Sequence, residues 1–214
     1  MTRFRAALGV AVTMLGLGAS AAGAQTYGQF ASAETVPING HVFGAYINAS
    51  DTLFGLLAQL RLSFYPNVDF GFQGGLARLD VGSSNRTLLR LGSDVKFVTA
   101  RAGPAFPMDL AFDASLGVEN ADNYNVLRFG PALVGSRSFP LGGRSAIVPY
   151  AGLGLTFTRY DILGTNDTDF AVPFRAGAEL RLAPELRVLA EFQVNFSDQL
   201  NDDVGFATGV NLPF

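Results

Sequence analysis

Apolar and polar residues alternate with a period of two along much of this chain. In residues 108–119, Leu110 and Phe112 share one parity with the later apolar residues, whereas Asp109 and Asp113 have the opposite parity. Successive side chains of a β-strand point to opposite faces, so this pattern predicts strands that separate two different environments. Ten segments follow it: 37–48, 52–64, 68–79, 87–98, 108–119, 126–138, 146–159, 170–182, 186–197 and 204–214.

Turn-forming residues separate these segments, which predicts an all-β fold: a single antiparallel up-and-down barrel of ten strands. The connection at 49–51 is the shortest at its end of the barrel. If this first hairpin does not form, the barrel has eight strands, which is the alternative. The short turns at 65–67 and 183–185 would lie at the end where the chain begins and finishes. Outer-membrane barrels place short turns on the periplasmic side, so the longer connections at 120–125 and 161–169 are predicted as outer loops.

The composition favours a barrel that faces lipid. Hydrophobic residues make up 49% of the chain, charged residues only 15%, and the mean hydropathy is +0.27. Beyond the first residues, no apolar run reaches the length of a membrane-spanning helix. Only helices and closed barrels satisfy their backbone hydrogen bonds in hydrocarbon, so a lipid-facing form of this chain must be a barrel.

The N-terminus has the features of an export signal. Arg3 and Arg5 precede the apolar residues 6–18, and the small residues at 22–24 form a cleavage pattern. We therefore predict a signal peptide over 1–24, an N-terminal periplasmic segment over 25–36 and an outer-membrane barrel over 37–214. The sequence contains no Cys, which excludes lipoprotein acylation and disulfides.

Charge is concentrated on one face of the predicted strands. The polar face carries fourteen charged residues, seven of each sign, and many glycines, which suit a crowded lumen better than a solvated surface. The exceptions, Arg78, Arg137 and Arg159, lie at strand ends, where long side chains can reach the interface. A soluble lipid carrier with an apolar interior is the alternative. The predicted lumen charge network comprises Arg61, Arg90, Asp94, Lys96, Asp109, Asp113, Arg128, Arg175, Glu179, Arg181, Arg187 and Glu191, and Asp69 and Glu119 share its face.

The last strand completes a resemblance to a known group. Its apolar parity runs Phe206, Thr208, Val210, Leu212 and Phe214. With the signal peptide and the amphipathic strands, this strand resembles the small bacterial outer-membrane barrels of the OmpA, OmpX and OmpW type. The resemblance implies location in the outer membrane of a Gram-negative-type bacterium. It also implies that the barrel-assembly machinery recognises Phe214 as an assembly signal.

The sequence predicts no catalytic, cofactor or metal site. His41 is the only histidine, and no serine motif accompanies it as a lipid hydrolase would require. Nucleic acid is not expected as a partner, because loss of Arg3 and Arg5 would change the net charge from −3 to −5. Carboxylates such as Asp109 and Asp113 are expected to pair with lumen arginines.

Two functions remain open. The first is a monomeric barrel with a charge-paired, plugged lumen and a structural or loop-mediated role in the cell envelope. The second is a narrow porin-like channel for small solutes, since the glycines leave space inside.

Overall fold

A computed structural model describes residues 30–81, 84–162, 164–197 and 203–214. The predicted signal peptide lies outside the described residues. No helix in these ranges is long and apolar enough to cross a membrane. The strands are β1 His41–Ser50, β2 Leu53–Tyr65, β3 Val68–Val81, β4 Ser84–Ala100, β5 Asp109–Ala121, β6 Tyr124–Ser136, β7 Phe139–Gly142, β8 Ser145–Gly154, β9 Thr156–Ile162, β10 Thr165–Ala183, β11 Leu186–Ser197 and β12 Asp203–Pro213.

These strands form a closed antiparallel barrel whose wall has ten strand positions, which we call staves. Neighbouring staves pair in chain order: β8 and β9 each pair with both β6 and β10, and the short β7 pairs with β8. β12 pairs with β1 from Val42↔Pro213 to Ser50↔Gly205, which closes the wall. The first hairpin is present, because β1 and β2 pair from His41↔Leu62 to Ala49↔Phe54. The prediction of ten strands rather than eight is therefore confirmed.

The segment predicted as one strand over 146–159 is interrupted. β8 and β9 together form a single stave, with a break at Leu155, whose N–H donates to the Pro131 carbonyl at 2.9 Å. Proline lacks the N–H that a regular ladder needs, and both neighbouring strands carry one here, Pro131 on β6 and Pro173 on β10. Gly130 allows the close approach, because an added Cβ would meet the Leu155 carbonyl.

The outer connections are shorter than predicted. The ladder between β9 and β10 continues to Ile162↔Thr165, and that between β5 and β6 continues to Ala121↔Tyr124. The prediction of outer loops at 161–169 and 120–125 was therefore wrong, because polar turn-forming residues there pair as strands. The longest described connection, residues 101–108, lies at the end that carries Phe214.

Polarity across the barrel wall is inverted relative to a soluble protein. The outward residues Leu56, Phe72 and Phe129 are 57%, 51% and 51% exposed. By contrast, the inward residues Arg90 and Lys96 are only 2% and 1% exposed. An apolar belt around charged contents is the arrangement that a bilayer requires. The parity predicted from the sequence is thus confirmed.

Beyond this belt, toward the end of the barrel opposite Phe214, the outward side chains become polar. On β3, Leu76 is followed by Arg78 and Asp80, and on β9, Phe157 is followed by Arg159. We call the outward residues above the belt the polar collar: Arg78, Asp80, Asn85, Asn120, Asn125, Arg159, Asn166 and Thr168. Arg78 forms an ion pair with Asp80 at 3.1 Å, and both side chains are more than half exposed. The strands therefore extend past the bilayer, which accounts for Arg78 and Arg159 on the outward face.

Inside the collar the lumen is filled by apolar side chains. Leu79 and Leu88 are 1% and 0% exposed and pack with residues from four strands. We call this the outer apolar cluster, which comprises Leu53, Ala77, Leu79, Leu88, Tyr124 and Val126. This cluster places buried apolar side chains at the outer end of the lumen.

Candidate functional site in the barrel lumen

Beneath the outer apolar cluster, one carboxylate holds two arginines. Glu119 on β5 accepts from Arg90 on β4 at 2.8 Å and forms an ion pair with Arg128 on β6, also at 2.8 Å. The Tyr124 hydroxyl donates to the second Glu119 oxygen at 3.3 Å. All three charged side chains are at most 6% exposed, so Glu119 compensates two buried cations.

A second group joins three neighbouring strands. Arg61 on β2 donates to Asp69 on β3 at 2.6 Å and to Asp94 on β4 at 2.5 Å. Lys96 on β4 lies 3.5 Å from the other Asp69 oxygen. Two cations and two anions thus form a neutral group, which reduces the cost of burying each of them.

A third group lies on the opposite wall. Glu191 on β11 accepts from the Tyr150 hydroxyl at 2.8 Å and from Gln193 at 2.5 Å, and Arg175 lies 3.8 Å away. Nearer the end that carries Phe214, Glu179 on β10 accepts from Arg181 at 2.9 Å and lies 3.4 Å from Arg187.

Residues 30–36, which we call the N-terminal segment, occupy the lumen between these groups. Phe30 and Ala33 are 1% and 0% exposed, and the Phe30 ring stacks on Tyr46 with centroids 4.1 Å apart. Glu34 forms an ion pair with Arg181 at 2.8 Å. The sequence placed residues 25–36 in the periplasm as a separate segment. Their described part instead lies inside the barrel, because its backbone and Phe30 find partners there.

Two predicted members of the network have no arginine partner among the described residues. Asp109 accepts from the Ala102 N–H at 3.0 Å, and neither oxygen of Asp113 accepts a hydrogen bond from a described residue. The expectation that both pair with lumen arginines was wrong. Lys96 lies directly across the ladder from Asp113, but its ammonium group donates to the Ser32 and Glu34 carbonyls.

The other predicted lumen residues all face inward, although Arg181 and Arg187 keep 20% and 26% of their side chains exposed. Glu34, Tyr46, Tyr150, Gln193 and Asn211 are further contributors that sequence reasoning did not select. Tyr46, Tyr150, Gln193 and Asn211 lie at inward positions of their strands, so the period of two could have identified them. Glu34 precedes the first strand and therefore follows no strand period.

Phe214 and His41 lie together on the outside of the closing seam. Their backbones exchange hydrogen bonds of 3.0 and 3.3 Å, and their rings stack with centroids 5.3 Å apart. Phe214 is 74% exposed. Recognition of Phe214 by the assembly machinery stays a prediction.

The lumen contents show burial and charge pairing. Within the described ranges, no group of three or more His, Asp or Glu side chains is arranged to hold a metal ion. His41 lies on the outer seam and not beside a lumen carboxylate.

Close packing of Tyr46 predicts a sensitive glycine. A Cβ at Gly209 would lie 2.8 Å from the Tyr46 Cα and still closer to the Ala45 carbonyl, so backbone would have to move. We expect Gly209→Ala to lower the free energy of unfolding by about 1–3 kcal/mol, as overpacking does. Urea titration in lipid vesicles measures this. Gly103→Ala is the matched control, because nothing lies within 4 Å of its Cβ, and an equal loss there would contradict the packing argument.

Several solved structures are similar to this chain. The β domain of the Bordetella autotransporter BrkA is similar with a TM-score of 0.50 and 13% identity, over 82% of this chain and 100% of that one. An outer membrane channel from Pseudomonas putida F1 matches with a TM-score of 0.47 and 14% identity, over 89% of this chain and 100% of that one. A bacterial polysaccharide outer membrane secretin matches with a TM-score of 0.48 and 11% identity, over 82% of this chain and 64% of that one.

A scan against models of protein families finds no match, and a search of curated proteins finds none either. At these identities the similar structures show the fold alone. Together with the apolar belt, the fold establishes an outer-membrane β-barrel.

Proposed function

We propose that this protein is an outer-membrane barrel with a lumen closed to solutes, which serves the cell envelope as a structural element and contacts partners through its outer rim. The observation that carries the proposal is the filling of the lumen along its length. The outer apolar cluster, the charge groups of Glu119 and Arg61, and the N-terminal segment follow one another from the collar to the end that carries Phe214.

The charge groups make an open lumen costly. Glu119 and its two arginines come from three strands, so a passage between them would separate charges that are at most 6% exposed. Removing one partner of a buried ion pair lowers the free energy of unfolding by about 3–5 kcal/mol. Ten strands also enclose little more space than the eight that side chains just fill.

The rim, rather than long loops, is the surface offered to partners. The described outer hairpins at 50–53 and 121–124 are tight turns, and Asp51 and Asp122 on them are exposed. A partner on this side would meet a rigid, acidic rim, which favours a cationic contact surface.

Planar-bilayer recording tests the closed lumen. We expect the intact chain to give no stable open current, and we expect Arg78→Glu on the collar, an exposed control, to behave in the same way. Steady currents whose ion selectivity changes with Arg175→Glu or Arg181→Glu would contradict the proposal and favour a narrow channel.

A further inference from the structure

The barrel holds the N-terminal segment mainly by its backbone. Lumen side chains bind six of its backbone groups. Glu191 accepts from the Phe30 N–H at 3.3 Å and Asn211 donates to the Phe30 carbonyl at 3.3 Å. Lys96 donates to two carbonyls at 2.9 and 2.8 Å, those of Ser32 and Glu34. Ser136 accepts from the Ala33 N–H and Asp69 from the Val36 N–H, each at 3.1 Å.

Two side chains of the segment add selectivity. Phe30 enters an apolar pocket formed by Tyr46, Leu57, Leu189 and Ala207. Four positions later, Glu34 reaches Arg181. The lumen therefore holds this segment by its backbone, by an aromatic residue and by a carboxylate four positions later.

The barrel does not need the segment to complete its wall. β1 begins at His41 and pairs with β2 and β12, whereas the segment joins it only through residues 37–40, where the Gly40 N–H donates to the Pro37 carbonyl. A cavity of about 270 Å³ lies beside the segment and is lined by Arg61, Asp69, Lys96 and Arg187. This space lets water reach the binding groups if the segment leaves.

The unpartnered carboxylate of Asp113 fits a state without the segment. Asp113 is 2% exposed and accepts no hydrogen bond from a described residue, yet Lys96 is its direct cross-strand neighbour. Side chains at such positions lie within reach of one another. When the segment is absent, Lys96 can turn from the Ser32 and Glu34 carbonyls to Asp113, so both charges stay compensated.

We propose that this half of the lumen is a peptide-binding site that its own residues 30–36 occupy. In their place the site takes a peptide segment with an aromatic residue and, four positions later, an acidic residue. The inference rests on the proposed closed lumen, in which this segment is one of the fillings. Binding of the chain's own segment is favoured over binding of a separate peptide, because the short connection to β1 gives the segment a high effective concentration.

Peptide binding to a barrel that lacks residues 25–36 tests the site. The probe is a fluorescent peptide with the sequence of residues 30–37, and fluorescence anisotropy is read on purified barrel in detergent. We expect saturable binding to the deletion variant and binding at least about tenfold weaker to the intact chain, where the tethered segment competes. Phe30→Ala in the peptide should weaken binding at least about tenfold, because it removes a buried aromatic ring.

Two barrel variants separate this site from nonspecific adsorption. In the deletion background, Lys96→Met should weaken binding at least about tenfold, since it removes donors to two carbonyls. Asp113→Asn should instead tighten binding, because it removes the competing partner of Lys96. Heat-modifiable migration verifies folding of each variant. If the deletion variant does not fold, full-length Phe30→Ala replaces it, since its weakened cis contact should admit the wild-type peptide.

Absence of saturable binding to a folded variant would overturn the inference, and so would equal binding of a scrambled peptide or equal binding to the intact chain. None of these outcomes bears on the closed lumen, which the intact chain's conductance tests separately.

Discussion

Replacing Glu119 with glutamine should destabilise the barrel more than any other single polar substitution discussed above. Arg90 and Arg128 both form ion pairs with Glu119 at 2.8 Å, and all three side chains are at most 6% exposed. Glu119→Gln keeps the volume but leaves two buried cations without an anion between them. We expect the free energy of unfolding to fall by about 3–5 kcal/mol, as it does when a buried ion pair loses one partner. Urea titration of barrel folded into lipid vesicles measures this loss.

The ion pair between Arg78 and Asp80 provides the control for Glu119. Both of its side chains are more than half exposed, so Asp80→Asn should cost no more than about 1 kcal/mol. A loss from Glu119→Gln that matched this control would show that water, rather than Glu119, compensates the two arginines. The lumen would then be wet, and the proposal of a closed lumen would fail.

A charge in the middle of the apolar belt should have the second large effect. Phe72 is 51% exposed and lies midway along the outward apolar residues of β3, between Val68 and Leu76. Phe72→Arg would place a cation in hydrocarbon, and we expect it to cost about 2–4 kcal/mol, as at the midplane of other barrels. The same vesicle titration applies.

Asn166 in the polar collar is the matched position for Phe72. It faces outward across from Asp161, above the belt, so Asn166→Arg should cost about 0–1 kcal/mol. Phe72→Leu separates the lost ring from the added charge. Equal effects of arginine at both positions would mean that the belt does not face lipid.

Which side chains of a strand point into the barrel was predictable, because the period of two does not depend on the neighbouring strands. Arg90, Asp94 and Lys96 share a parity in the sequence, and all three lie inside. The same reasoning identified the first hairpin and the last strand. The charged face is buried, whereas the face that carries Leu and Phe is exposed. This difference identifies the face that meets lipid.

Charge partners were not predictable, since they depend on register and on side-chain direction. Arg61 reaches Asp94 two strands away, although these residues are 33 positions apart in sequence. Asp113 stands opposite Lys96 but loses it to the Ser32 and Glu34 carbonyls. No local pattern signals such a competition.

The position of the N-terminal segment inside the lumen was not predictable from the sequence. Residues 30–36 carry no strand period, and their partners are mostly side chains that bind backbone, which any sequence offers equally. The outer loops were overestimated for a related reason. Residues such as Asn166 and Asp167 favour turns, but cross-strand pairing with β9 outweighs that preference.

Outer-membrane fractionation followed by gel migration with and without heating tests whether this chain forms a membrane-embedded barrel. We expect the protein to be recovered with the outer membrane and its unheated band to migrate differently from the heated one, because a membrane-embedded barrel resists detergent unfolding. Recovery in the soluble fraction without detergent, with a single band under both conditions, would contradict it.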